Sequence, residues 1–331
     1  MPSPLHRSLY IARLTASSFL RRARFAAGKI DSDTGSSTAA FPVESAVAYI
    51  QRTFDDYVRY GSLTEDVLQG AHLLEIGPGD NIGAGLRFLA RGAARYTTLD
   101  KFFSRRDPAH ERETYERLRE TLPAGERERF DGAVTLSPAL AFAPERVQAI
   151  YGHEAQKAAD LFAPGSFDGI LSRAVLHEIY EAEAALQALD RVLKPGGWMV
   201  HKIDLRDDGL FSARGYSPLE FLTISGPVYW LMAYDTDKTC RRPLPFYRDL
   251  LRRMGYEARF TITGIVEASG YKGVENPAGE GKEQLAAGVD YGPEHERMLA
   301  AIRPRLTGAF GALSDSDLLT ASVFLMARKP L

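Results

Sequence analysis

The eleven residues LLEIGPGDNIG, Leu73 to Gly83, constrain this chain more than any other stretch. An apolar run ends in an acid, two glycines flank a proline, and Asp80-Asn81 follow. A short apolar run that stops at a Gly-rich turn reads as a buried strand of a parallel sheet. Glycine in such a turn lets the main chain approach a partner closely. In open α/β sheets, ligands bind beyond the carboxyl ends of strands, where this turn sits. The helix that begins around Asn81 to Gly83 directs its N-terminal N–H groups toward the same place and favours anionic ligand groups.

Strand and helix patterns alternate from His72 onward. HLLEIG, RYTTLD, VQAIYG, FDGILS and WMVHKIDL read as strands; IGAGLRFLARG reads as a helix ended by Gly92, and EAALQALDRVL as a helix stopped by KPGG. This alternation predicts a mostly parallel sheet with helices on both faces and right-handed crossovers. Further along, LPFYRDLLRRMGY is a helical pattern, and EARFTITGIV and ASVFLMARK are strands expected to pair antiparallel at the sheet edge. A Gly-rich loop, Gly264 to Gly292, and the helix EHERMLAAIRPRL, interrupted at Pro304, lie between them. Helical spacing also marks Val43, Val47, Ile50, Phe54, Tyr57 and Val58. Asp31 to Ala40 is small and polar and reads as a linker. The expected organisation is a basic helical arm and linker over 1–40 and one α/β domain over 41–331. That domain carries a lid-like insert at about 208–245 and a second insert at about 267–320, between the last two strands.

The 331 residues are 45% hydrophobic and 25% charged, as in ordinary globular proteins, and enough to bury a sizeable core. A net charge of -2 creates no global field toward nucleic acid or anionic membrane. The single cysteine, Cys240, excludes an internal disulfide, and no Cys/His cluster has zinc spacing, so no metal is expected. A reducing compartment fits, and cytoplasmic localisation is the expectation. No apolar run reaches the roughly 18 residues of a membrane span. The first thirty residues hold six Lys/Arg and no acid. Such starts occur in organelle transit peptides and in helices that lie on membranes. On a helical projection Arg13, Arg21 and Arg22 scatter, which favours an arm packed on its own domain or on a partner over a membrane contact.

Asp100 closes the strand after the Gly-rich turn, 23 residues beyond Gly77, where an acid accepts both hydroxyls of a ribose. A dinucleotide fingerprint requires a glycine three residues after the second; here Gly83 comes four after Gly79. Pro78 also removes an N–H that a pyrophosphate would use. A nucleoside cofactor without phosphates therefore suits the turn better.

LLEIGPGDNIG, the acid in YTTLDKF, SFDGILSRAVLHEI, LKPGGWMVHKIDL and the terminal strand pair, in that order, resemble class I S-adenosylmethionine-dependent methyltransferases over about residues 45 to 330. The resemblance implies a Rossmann-like seven-stranded sheet with an antiparallel last strand, and S-adenosyl-L-methionine as cofactor. It implies that Glu75, Gly77, Pro78, Gly79, Asp80 and Asn81 surround the methionine end, that Asp100 holds the ribose and that Lys101 lies beside the adenine. In YGHEAQKAADLF, Glu154, Ala155 and Gln156 fall at the adenine amino group, with Glu154 or Gln156 as its partner; Ser172 and Arg173 line the sulfonium end. Two departures stand out. Relatives read Glu-His where this chain has His177-Glu178, and close relatives have histidine where Asp208 stands.

Methyl transfer needs positioning and water exclusion, and a hydroxyl nucleophile needs a base, for which histidine suits neutral pH. His177 is the candidate catalytic residue, with His153 and His201 as lesser ones; His201, in mid-strand, reads as a core histidine. Asp204 and Arg206 are candidate substrate contacts. The aromatic insert with Phe211, Tyr216, Phe221, Tyr229, Trp230, Met232 and Tyr234 reads mainly as internal packing, with Trp230 the candidate lid contact. Arg105, Arg106, Arg241 and Arg242 read as solvated faces. The expected reaction is O-methylation of a small-molecule or glycan acceptor, with no nucleic-acid partner. Two rivals are a nicotinamide-dependent reductase, for which Tyr234 to Lys238 mimics a Tyr-x-x-x-Lys pair, and a non-catalytic nucleoside-binding domain.

Overall fold

The computed structural model describes residues 4–32, 38–234, 236, 238–268 and 281–331. The seven strands of the main sheet are β1 (His72–Ile76), β2 (Arg95–Asp100), β3 (Val147–Tyr151), β4 (Phe167–Arg173), β5 (Leu193–Asp204), β6 (Glu257–Ile265) and β7 (Thr320–Arg328). The helices that matter below are α1 (Pro4–Ala26), α2 (Val43–Gly61), α3 (Gly83–Ala90), α4 (Pro108–Glu120), α5 (Ala182–Val192), α6 (Gly226–Ala233), α7 (Leu244–Arg253) and α8 (Pro293–Ile302).

The sheet runs β6-β7-β5-β4-β1-β2-β3. β1 pairs in parallel with β2 and β4, and β2 in parallel with β3. β7 runs against its neighbours. Val266 N–H donates to the Leu319 carbonyl and the Thr263 hydroxyl meets Ser322, so residue numbers rise on β7 as they fall on β6. The same opposition links Leu205 with Ala321 and Gly197 with Lys329 along β5. The strand order reverses at β1 and β4, which places the Gly77 turn at the switch point where such sheets bind ligands.

β1 is continuously apolar because both its faces are covered: Leu73, Leu74 and Ile76 are buried. α2 turns Ala46, Val47, Ile50, Phe54 and Tyr57 inward, and the Phe54 ring meets Phe88 of α3 edge-on at 4.9 Å. α3 packs so tightly that a Cβ at Gly85 would sit 2.4 Å from the Tyr96 ring of β2.

The sequence pattern differs from the structure at two junctions. α5 ends at Val192, just before KPGG as expected, but β5 begins at Leu193 and not at Trp198, so Lys194 to Gly197 are strand residues. Part of the expected linker is structured, since Asp31–Ser32 pair in parallel with Phe103–Ser104. Residues 33–37 lie outside the described residues, as do 269–280 of the Gly-rich loop.

Two compact units are distinguishable: Met1–Lys29, Ala174–Ala182 and Lys202–Leu325 form one, and Ile30–Arg173, Glu183–His201 and Met326–Leu331 the other. In the first, α1 packs on α6, within the insert between β5 and β6. The second holds β1 to β4 with α2 to α5 almost entire, and with them the Gly-rich turn.

Candidate active site

Gly77 and Gly79 both have positive φ, 64° and 73°. A side chain would strain either position, so the turn needs glycine twice. Gly77 N–H still donates to Leu99 O at 2.9 Å, which keeps the turn fastened to β2 as it leaves the sheet. Asp100, the last residue of β2, sits beside it. Its carboxylate accepts from Phe102 N–H at 2.9 Å and is further stabilised by the Gly79 and Lys101 N–H groups. Desolvation nevertheless dominates and pushes Asp100 up to about 6.

Beneath the turn, Glu75 is buried and accepts a hydrogen bond from Tyr96 Oη at 2.8 Å. Burial, helped by the negative charge of Asp100 and opposed by the Tyr96 hydrogen bond, raises Glu75 to about 7. The unfolded carboxyl titrates near 4.5, so between there and 7 the folded chain holds a proton that the unfolded chain has lost. Folding stability attributable to Glu75 is therefore full at pH 4.5 and falls as pH rises to 7. Glu75→Gln is expected to flatten that slope. In urea melts at pH 5 and pH 7.5, the variant should gain about 1–3 kcal/mol on the wild type between the two.

This pair of shielded carboxyls tests the cofactor. A ligand bearing a sulfonium, an ammonium and ribose hydroxyls relieves their repulsion and uses their acceptors; a diphosphate does neither. Pro78 offers no N–H to an anion. The residues fit S-adenosylmethionine.

The other sequence-predicted residues are engaged as follows. Both Asp80 oxygens are taken by the end of the expected linker: Thr38 N–H at 2.9 Å and Ala39 N–H at 2.7 Å reach one, and Thr38 Oγ1 at 2.8 Å the other. Asn81 donates to Thr38 Oγ1 at 2.8 Å and accepts from Gly83 N–H at 2.9 Å, which ties the start of α3 to that segment. Lys101 and Glu154 form an ion pair at 3.0 Å, so the structure brings together two residues assigned to the adenine. Ala155 is buried and Gln156 half-buried beside them in sequence. Ser172 is fully buried, its hydroxyl 2.7 Å from His201 Nδ1. His201, pushed down to about 3 by burial alone, is a neutral core histidine. Arg173 is clamped by Asp56 at 2.8 Å, with its guanidinium 5.9 Å from the Tyr49 ring. His153 is exposed.

Two of the arginines read as solvated are not. Arg106 is shielded, paired with Glu111 at 2.9 Å, and donates to Tyr151 Oη at 2.8 Å and toward Gly79 O at 3.4 Å. It braces the Gly-rich turn from outside, a role no local sequence signal reveals. Arg241 is buried, 3.6 Å from the Tyr229 ring centre, and donates to Phe221 O and Ile224 O. In both cases planar guanidinium chemistry satisfies an interior site.

In the other unit, His177 lies four residues after the last residue of β4. It stands in a turn rather than at a helix start, so a one-residue shift there does not carry a helical rotation. It is buried, with Cys240 N–H donating to its carbonyl, and its Nδ1 is buried without a hydrogen-bond partner. Burial lowers its basicity; the negative charges of Asp204 and Asp208 oppose this, and Arg206 adds to it. Asp204 is held ionised by Arg206, whose Nε reaches both oxygens at 2.9 and 3.1 Å. Trp230 is half-exposed on α6 and stacks with Tyr234 at 5.0 Å. α6 ends at Ala233 and Tyr234 has extended backbone, so the helical turn that a Tyr-x-x-x-Lys pair needs is missing; Asp235 and Asp237 lie outside the described residues. Among the described residues, no group of three or more His, Cys, Asp or Glu is placed to hold a metal, and no helix is long and apolar enough to cross a membrane.

Residues 74–201 match the family model described as a methyltransferase domain. A comparison with curated protein sequences finds no significant match. Among solved structures, phosphoethanolamine N-methyltransferase 2 of Haemonchus contortus, in complex with S-adenosyl-L-methionine, is 15% identical, with 85% of this chain and 53% of that one covered and a TM-score of 0.43. This chain thus spans about half of that enzyme's length. The cyclase SpnF is 17% identical, with 87% and 82% covered and a TM-score of 0.41. An S-adenosylmethionine-dependent methyltransferase of Mesorhizobium loti is 14% identical, with 87% and 100% covered and a TM-score of 0.41. The family match lies over β1, the Gly-rich turn and Asp100, so residues 74–201 are similar to a methyltransferase domain.

Proposed function

We propose that the chain transfers a methyl group to an oxygen of a small molecule or saccharide, with His177 as the base. The observation that carries this reading is the state of His177: buried, neutral at pH 7, with Nδ1 unpartnered and two carboxylates, Asp204 and Asp208, favouring its charged form. A neutral imidazole so placed accepts a proton, and the carboxylates stabilise the imidazolium that results. Bound S-adenosylmethionine supplies an electrophilic methyl whose departure leaves a neutral thioether. Asp100 orients the ribose, Glu75 and the Gly77–Gly79 turn receive the methionine end, and Lys101 with Glu154 or Gln156 borders the adenine. Ala155 and Arg173 complete the wall in this reading, and Arg206 contacts the acceptor. His177 takes the hydroxyl proton as the oxygen bonds to the methyl carbon. An amine acceptor would not need a base of this kind, because its attacking lone pair is already free at pH values above its pKa.

The test is release of S-adenosylhomocysteine over a panel of hydroxylated and amino acceptors. Turnover is expected with hydroxyl acceptors. His177→Ala should lower kcat by about 10²–10⁴ while cofactor affinity stays within about twofold. Turnover with amines alone, or an unchanged kcat in the variant, overturns this reading.

A further inference from the structure

α1 has two apolar faces, and only one of them is used. The inner face carries Tyr10, whose hydroxyl donates to Leu210 O at 2.6 Å, and Ser18, which donates to Met232 O. Arg7 is turned inward too, pairing with buried Glu220 at 2.7 Å; Arg305 reaches the same carboxylate at 2.5 Å. Arg22 is partly covered against α6, its guanidinium 5.6 Å from the Trp230 ring. The outer face is a second stripe. Leu5, Leu9, Ala12, Ala16, Leu20 and Ala23 recur at spacings of three and four and so share one side of the helix. All six are exposed: Leu5 by 70%, Leu9 by 62% and Leu20 by 68%, with Phe19 alongside at 53%.

Solvent-facing leucines repeated along a 23-residue helix, about 34 Å at 1.5 Å per residue, are not the scatter of single apolar residues that ordinary surfaces show. The charges sort with them. Docking removes Arg7 and Arg22 to the inner side, whereas exposed Arg13 and Arg24 each follow a stripe leucine, Leu9 and Leu20, by one helical turn. Of the arginines that scatter on a bare helical projection, Arg22 thus joins the anchoring side and Arg13 borders the stripe, while exposed Arg21 belongs to neither set. On α6, packed against α1, Val228 and Leu231 are also exposed, and Trp230 is exposed by 42%.

We propose that the outer face of α1, with Trp230 beside it, lies on an anionic lipid surface. An apolar stripe edged by arginine, with tryptophan at its margin, has the chemistry that seats helices in the headgroup region. A second copy of the same helix is the poorer occupant. It would set Arg13 and Arg24 against their own kind, and residues 1–30 contain no acid to answer them. The inference does not depend on the acceptor or on the base.

The test uses the full chain with vesicles of phosphatidylglycerol and phosphatidylcholine in equal parts, against vesicles of phosphatidylcholine alone. The protein is expected to co-sediment with the mixed vesicles and only weakly with the neutral ones. Of the two tryptophans, Trp198 is buried, so a blue shift on binding should vanish in Trp230→Phe. The double variant Leu9→Glu/Leu20→Glu should lower the bound fraction at least about tenfold. Arg13→Glu/Arg24→Glu should remove the preference for anionic vesicles. Unchanged thermal melting and S-adenosylmethionine affinity confirm that the variants are folded. Equal sedimentation of wild type and the leucine variant overturns the proposal, as does no sedimentation of wild type. A dimer by light scattering that this variant turns into monomer, with no vesicle binding, assigns the face to self-association instead.

Discussion

Asp100→Ala is expected to weaken S-adenosylmethionine binding by about 10- to 150-fold, read by calorimetry at pH 7.5. Loss of a charged hydrogen bond costs about 1.5–3 kcal/mol, which converts to that range. The residue ends β2 beside the Gly77–Gly79 turn, and its carboxylate is already oriented by the Phe102 N–H, which is the preparation the proposed ribose contact needs. The wild type carries its own control in pH. Because desolvation raises Asp100 to about 6, the carboxylate is progressively protonated below that value, and affinity should fall between pH 7.5 and pH 5. Glu75, raised to about 7, adds to this trend, since a cationic ligand favours its ionised form. Removing Asp100 should leave the shallower dependence that Glu75 contributes. Unchanged affinity in Asp100→Ala sinks the ribose assignment and leaves the fold untouched.

Gly169→Ala is expected to be the most destabilising single methyl in the sheet. Gly169 pairs with Leu73 in the centre of the sheet, and an added Cβ would lie 2.3 to 2.5 Å from three atoms of the Trp198 ring. Trp198 is buried and its ring is rigid, so the clash is not relieved by swinging a flexible end away. Overpacking of this kind costs about 1–3 kcal/mol or more, a fall in melting temperature of about 3–10 °C for a domain of this size. Gly125→Ala supplies the contrast: nothing stands within 4 Å of its Cβ, it lies in a helix, and it should leave stability unchanged or raise it by up to about 1 kcal/mol. The double variant Gly169→Ala/Trp198→Leu should recover part of the loss, since the two residues share one contact.

What could be read before folding followed from short-range rules. The β1 strand, the turn after it and the acid at the tip of β2 all announce themselves within a few residues, because a buried parallel strand must be apolar and a tight turn must be glycine. The same is true of the last two strands, whose β-branched patterns place them and whose expected antiparallel pairing is seen in Val266 with Leu319 and Thr263 with Ser322. Arg106 and Arg241 were beyond such reading. Nothing near them in sequence distinguishes a solvated arginine from one that braces a glycine turn or lies over a tyrosine ring. KPGG ended α5 as expected, but proline and glycine do not say where the next element begins, and β5 starts at Leu193, five residues before Trp198.

Local patterning by itself determined the strand–turn–helix core and the position of Asp100 at the tip of β2, because burial period and backbone freedom are properties of neighbours along the chain. Tertiary structure alone decided which groups are charged and which faces are free. It raised Glu75 and Asp100 by taking them from water, left His177 neutral, and turned Arg7 toward Glu220 while keeping the leucines of α1 outside. Solvation is set by what packs in space, and residues 213 positions apart, as Arg7 and Glu220 are, carry no mark of one another until the chain has folded.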